Sequence, residues 1–293
     1  MNKLTDEQLI EELRIRMKEN TDALEELKIL NKKLEESEAL KSHFISNITN
    51  EIVNPFASIL GLSKNILSVK KENWKKVFSM VAMIQSEAFS LDFQLKNVFA
   101  AAKIEAGEVY PEIGNVDILN LVKSVTESFR IEAHKKRITF EIINNCRVED
   151  ISVFIFKTDP EKLKLILSNL INNAVKFSYN DSVVAVRIWF IKKELYISVF
   201  DHGIDISKEY QQLIFDRFKR VDSSITSINR GHGLGLSIIK SLVDLLGGDV
   251  IFDSDKKKGT IFTINIPESN QEEESFTTSL NGNEIFFEDN QVF

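Results

Sequence analysis

Apolar residues recur along the start of this chain in steps of three and four. Ile10, Leu13, Met17, Leu24, Leu27 and Leu34 keep that rhythm, with Asn20 and Asn31 filling two positions of the same seam. This is the a/d pattern of a coiled coil, and an Asn buried at the seam fixes register and favours two strands. Residues 1–40 are therefore read as the coiled-coil helix of a homodimer. The pattern loses phase near Glu38–Leu40, where a second amphipathic helix begins. In FISNITNEIVNPFASILG, Phe44 to Gly61, the residues Ile45, Ile48, Ile52, Phe56, Ile59 and Leu60 make one apolar face. Asn50 and Glu51 fall off it. Pro55 lacks an N–H, so a bend is expected just after that polar pair. A bend beside two exposed polar groups suits the docking of a second domain. Residues 72–106 carry a wide apolar stripe from Trp74 to Phe99, and the short link Ser68–Asn73 predicts an antiparallel hairpin. Two hairpins from two chains would close a four-helix bundle over 41–109. Gly107 and Pro111 end the second helix.

From residue 112 the period changes. Ile118 to Lys135 reads as a helix, and Ile138–Ile143 and Ile151–Phe156 read as strands rich in Ile, Val and Phe. Val183–Ile191 and Glu194–Phe200 read as a hairpin turning at Lys192–Lys193, with further strands at Val250–Phe252 and Thr260–Ile266. Helices are expected at 160–177, about 207–216, and 234–246. The class is α+β: a coiled coil and helical hairpin, then, over 110–267, a sandwich with helices on one face of a mixed sheet.

Composition narrows the picture. Lys+Arg is 37 against 44 Asp+Glu, a net charge of −7 in 293 residues. The tail 268–293 holds seven acids and no base, so residues 1–267 are balanced at 37 against 37. That tail is expected to be disordered. No basic field points to nucleic acid. No apolar run is long enough for a membrane span, and the N-terminus is charged rather than signal-like. The single cysteine, Cys146, excludes an internal disulfide and a cysteine metal cluster. A soluble, cytoplasmic protein is expected.

Polar residues then appear where helices and strands do not need them. Asp159 and Pro160 suit the start of a helix whose core face is Leu163, Ile166, Leu167, Leu170 and Ala174. Asn169, Asn173 and Lys176 form a separate stripe on it, joined by Asn172. An interior Asn costs a helix about 0.5 kcal/mol relative to Ala, so the cluster suggests a requirement. Amide oxygens can coordinate Mg2+, and a lysine one turn on can meet phosphate. A merely solvated face is the plain alternative. Asp201 ends a strand and opens DHGID; a carboxylate there can accept a hydrogen bond from an adenine amino group, and Gly203 permits close backbone approach. Gly231, Gly233 and Gly235 precede a helix N-terminus, which offers free N–H groups and a positive dipole end to phosphate.

Taken in order, these stretches resemble the sensor histidine kinases over about residues 40–267. Phe44, Asn47, Ile48, Glu51, Pro55, Ile59 and Gly61 fit that family's H-box, F-x-x-N-x-S-H-E-x-R-T-P-L-x-x-I-x-G. Asn50 stands at the phosphoacceptor histidine, Val53 at the usual Arg or Lys, and Asn54 at the Thr or Asn position. LILSNLINNAVKFS resembles the N-box, and DHGID the G1 box with Asp205 in place of its second Gly. IFDRFKRVDS resembles the F-box, with Phe215 and Phe218 anchoring a lid, and Gly231 to Leu236 resembles the G2 box. Gly259-Thr260 resembles the last Gly box. The resemblance implies ATP and Mg2+ as cofactors. Asn169 and Asn173 would hold the metal. Lys176, Arg230 and Lys219 or Arg220 would reach phosphate, Asp201 would meet the adenine amino group, and Gly203 and Thr260 belong to the same nucleotide-binding set. The tail is left as a disordered end or a short docking peptide.

The substitution at position 50 decides the expected activity. An imidazole nitrogen has a free lone pair and accepts a phosphoryl group. An amide nitrogen has its lone pair delocalised into the carbonyl, and Glu51 has no imidazole proton to remove. The expectation is a histidine-kinase-like two-component signalling protein that binds ATP and dimerises but does not autophosphorylate. Alternatives are an active kinase in a His-to-Asn engineered form, phosphorylation of a partner histidine kinase in trans, or a phosphatase for receiver domains using Glu51 and Asn54. A general ATPase of the same superfamily is disfavoured by the H-box-like helix. No sensor or receiver domain is recognised, so input is expected from another protein through the coiled coil or by an unrecognised route.

Overall fold

The computed structural model describes residues 6–70, 73–145, 155–211, 213–215, 233–255 and 258–270. Helix α1, Asp6–Leu67, spans 62 residues and passes unbroken through Pro55. It joins the coiled-coil reading and the H-box-like stretch into one rod, about 90 Å long at 1.5 Å per residue. Helix α2, Trp74–Ala106, packs back against it. Its C-terminus closes with the Gly107 N–H donating to the Ile104 carbonyl and the Glu108 N–H to Lys103.

An α/β unit follows. Strand β1, Gly114–Asp117, leads into helix α3, Ile118–Ser128, whose first turn is capped by the Asp117 carboxylate accepting from the Asn120 N–H. The single helix expected over 118–135 is two: after α3 the chain re-forms a short helix α4, Arg130–Lys135. The break lies at Phe129, whose ring is fully buried between Phe89 and Phe93 of α2, at centroid distances of 5.1 and 5.7 Å. Strand β2, Thr139–Asn144, and strand β3, Ile155–Thr158, come next, and β3 pairs antiparallel with β1. The expected strand at 151–156 begins outside the described residues. Helix α5, Pro160–Phe177, starts as expected, with Asp159 accepting from the Lys162 N–H.

Strands β4, Val183–Ile191, and β5, Glu194–Asp201, turn at Lys192 and Lys193, both in the left-handed region. Helix α6, Gly235–Leu245, and strands β6, Asp249–Asp255, and β7, Gly259–Pro267, complete the unit. The five-stranded sheet runs β2-β4-β5-β7-β6, with β2–β4 parallel and the other pairs antiparallel. Alternate residues of β4, β5 and β7 (Val184, Val186, Leu195, Ile197, Ile264) point into one core with α3, α5 and α6. The helix expected near 207–216 is instead a run of turns over the described residues. There the Gln211 side chain donates to the Ile206 carbonyl and the Ile206 N–H is taken by Ser254 Oγ.

Candidate functional site

The C-terminal ends of α5 and of the central strand β5 meet, joined just beyond by the Ser178–Gly203 bridge. Asn169 is 2% exposed and Asp201 5% exposed, both far below what these side chains tolerate without a reason. Asp201 Oδ1 finds no hydrogen-bond donor among the described residues. Burial pushes its carboxyl up from 3.8 to about 7. The backbone beside it is tight. A side chain at Gly203 would collide with the Phe177 carbonyl and lie 2.7 Å from Asp201 Oδ1. Glycine is therefore required for the chain to cross the end of α5 at this point. Lys136 clamps that helix end, donating to the carbonyls of Val175, Lys176 and Ser178. Burial lowers its ammonium pKa.

These groups line a cavity of about 760 Å³, within the range of small-molecule sites. The α/β unit contributes Asn169, Asn172, Asn173, Lys176, Asp201, Asp205, Gly233, Gly235 and Thr260. The helical hairpin forms the facing wall, with Asn54, Pro55 and Ser58 of α1 and Glu87, Ser90, Gln94 and Asn97 of α2. Lys176 Nζ lies 5.0 Å from the Phe177 ring centroid. Phe215 stacks edge-on against Phe252 at 5.9 Å. Among the described residues no group of three or more His, Cys, Asp or Glu could hold a metal ion. A cation here would be held by amide oxygens and by the ligand's own oxygens.

Of the residues singled out from sequence, the cavity brings together Asn54, Asn169, Asn173, Lys176, Asp201, Gly233, Gly235 and Thr260. Gly203 packs against the Phe177 carbonyl and the Asp201 carboxylate but does not itself line the cavity. Phe218, Arg220, Arg230 and Gly231 lie outside the described residues, as do the side chains of Asn50 and Glu51. The backbone at 50 and 51 is helical, one turn before the wall residues Asn54 and Pro55.

Sequence reasoning reached Asn54 on α1 but missed the share that α2 contributes to the site. Asn169 Nδ2 donates to Asn97 Oδ1 at 2.6 Å and to the Leu165 carbonyl at 3.0 Å. Asn97 is 5% exposed and donates to the Phe93 carbonyl. Ser86 donates to Glu132 at 2.9 Å and accepts from Lys135 at 2.8 Å, a second polar tie between α2 and α4. The signal was in the sequence: Ser86, Ser90, Gln94 and Asn97 follow one another at four, four and three residues, a polar stripe down α2.

Residues 158–270 match the family described as histidine kinase-, DNA gyrase B-, and HSP90-like ATPase. The chain is 31% identical over 236 residues to the circadian input-output histidine kinase CikA of Synechocystis sp., covering 79% of this chain and 31% of that protein. It is 28% identical over 245 residues to the signal transduction histidine-protein kinase BarA of Escherichia coli K12, covering 82% of this chain and 26% of that protein. The chain thus spans about a third or less of the curated relatives it matches. Among solved structures, full-length ShkA in complex with AMPPNP superposes with a TM-score of 0.53 at 24% identity, over 79% of this chain and 46% of that one. That likeness speaks to the fold.

Proposed function

We propose that this chain, whose residues 158–270 form a histidine kinase-, DNA gyrase B-, and HSP90-like ATPase domain, is a histidine-kinase-like signalling protein that binds ATP but does not phosphorylate itself. The observation that carries the nucleotide reading is the buried Asp201 carboxylate, whose Oδ1 finds no donor among the described residues, in the lining of a cavity shared with Asn173 and Lys176. An unsatisfied buried acceptor costs about 1–3 kcal/mol, which a donor on a ligand would relieve. The exocyclic amino group of adenine is such a donor. Asn173 offers an amide oxygen to Mg2+, and Lys176 offers charge to phosphate. Gly233 and Gly235 bring the N-terminus of α6 to the cavity wall, where backbone N–H groups favour an anion. Bound ATP would supply a transferable phosphoryl group, and Asn54, Pro55 and Ser58 of the H-box-like stretch line the same cavity.

The acceptor is what is missing. Position 50 carries an amide with no nucleophilic lone pair, so the chain keeps a donor site and lacks a receiver. The seam residues of α1 support a homodimer: Leu13, Met17, Leu24 and Leu27 are 54%, 70%, 59% and 62% exposed, a stripe that a second copy would cover. A response-regulator receiver domain or a partner histidine kinase is the expected further partner, and the cytoplasm the expected location. No helix among the described residues is long and apolar enough to cross a membrane.

The test is calorimetry with ATP and Mg2+ together with an incubation with γ-labelled ATP. The chain as it stands should bind ATP and Mg2+ by calorimetry yet take no label. Acid-labile, base-stable label on this chain would overturn the reading, and absence of any ATP binding would end it. A second reading, dephosphorylation of a receiver domain, is favoured by the exposed position of Asn54 on the cavity wall. Asn54→Ala should then abolish acceleration of receiver dephosphorylation.

A further inference from the structure

One side chain of the hairpin fixes an amide in the lining of the cavity. Asn97 Oδ1 accepts from Asn169 Nδ2 at 2.6 Å, and both residues are more than nine-tenths buried. That bond, with the one to the Leu165 carbonyl, consumes both amide hydrogens of Asn169 and turns its oxygen away from α2. The oxygen then lies against the first residue of α6. A side chain at Gly235 would stand 2.8 Å from Asn169 Oδ1, so glycine lets the phosphate-loop helix approach this amide. Helix α2 also packs on α6 directly. Asn97 is itself held, donating to the Phe93 carbonyl one turn back, and Phe93 abuts the buried Phe129 ring. A continuous path therefore runs from the α/β core through Phe129, Phe93, Asn97 and Asn169 to the N-terminus of α6.

We propose that Asn97 is a positioning residue of the nucleotide site: by holding the Asn169 amide it sets the α6 N-terminus, so that hairpin docking and ATP affinity are coupled. The inference rests on the nucleotide reading above. Binding free energies are reciprocal, so a bond that favours ATP when the hairpin is docked must make ATP favour docking by the same factor. A coupling of one order of magnitude lies within the usual range for such linkages. It would give the coiled coil a route to the nucleotide, because any movement of α2 that displaces Asn97 releases the Asn169 amide to rotate.

Three proteins test this by ATP titration with Mg2+: the unaltered chain, Asn97→Leu and Asn97→Asp. Leucine nearly matches the volume and removes the acceptor; aspartate keeps an acceptor toward Asn169 Nδ2. Affinity should fall about ten-fold in Asn97→Leu and return to within about three-fold in Asn97→Asp. Equal affinity in the unaltered chain and Asn97→Leu, or equal losses in both variants, would overturn the proposal while leaving ATP binding standing. If the unaltered chain binds no ATP, the nucleotide reading fails and this one with it. Hydrogen exchange on the unaltered chain needs no variant to fold. ATP with Mg2+ should slow exchange at α2 amides near Asn97 as well as in α5, and protection confined to the α/β unit would contradict the coupling.

Discussion

Asp201 concentrates the site's electrostatics in one group. Its carboxyl is raised to about 7 because burial penalises the charged form, whereas an unfolded chain would titrate it near 3.9. A raised carboxyl pKa means the empty native state holds its proton between those values. Its contribution to stability is therefore present below pH about 4 and is lost as pH rises toward about 7. Ligand binding runs the other way, since an adenine amino group donates to the carboxylate and favours the charged form. ATP affinity should therefore rise by roughly ten-fold between pH 6 and 8, while Asp201→Asn binds weakly and without that slope; calorimetry at the two pH values checks it. GTP, with a carbonyl in place of the amino group, should bind weakly at both. Asp205, on the same cavity wall, brings a second negative charge toward a triphosphate. At a separation of about 6 Å and high effective dielectric this costs on the order of 1 kcal/mol, so Asp205→Gly should tighten ATP about three- to ten-fold. An unchanged affinity would place Asp205 away from the phosphates.

Among the elements, those whose pattern is local were legible and those set by distant packing were not. The β4–β5 hairpin was readable to its turn because two period-2 runs flank Lys192-Lys193. The turn carries φ of 48° and 67° on two non-glycine residues, the left-handed pair of a type I′ turn. Replacing Lys192-Lys193 by Asn-Gly should stabilise the unit by about 0.5–1 kcal/mol, a rise of a few degrees in melting temperature, with ATP affinity unchanged. A lower melting temperature would show that the two lysines make contacts worth more than the turn strain. Helix α5 was legible from its cap to its polar stripe. Strand β1 was missed because four residues carry too little period to count. The break between α3 and α4 was missed because nothing in the residues 118–135 interrupts a helix; Phe129 is drawn out of register by rings on α2, forty and thirty-six residues earlier. The functional role of Asn97 was missed for the same reason, since its partner Asn169 lies seventy-two positions away.

At the scale of the whole chain, the rod α1 links everything the proposals need to join. Its first half exposes the heptad seam, and its second half brings Asn54, Pro55 and Ser58 to the cavity without an interruption between them. Residues four apart lie on one face of a helix, so position 50 sits one turn, about 6 Å of rise, from Asn54 on the wall. Restoring an imidazole there changes one side chain on an already helical backbone and asks nothing of the ATPase domain. If the donor site is sound, Asn50→His should take label from γ-labelled ATP, stable in base and lost in acid, while the parent chain takes none. Glu51 would then be placed beside a ring whose proton it can accept. Label in Asn50→His that vanishes on adding Asp201→Asn would tie the phosphoryl group to this cavity. Label in neither chain, with ATP still bound, would mean that the hairpin holds position 50 out of reach of the nucleotide. The combination Asn50→His with Asn97→Leu would then distinguish a hairpin held too tightly from a helix of the wrong register: only the first should regain label when the Asn97–Asn169 bond is removed.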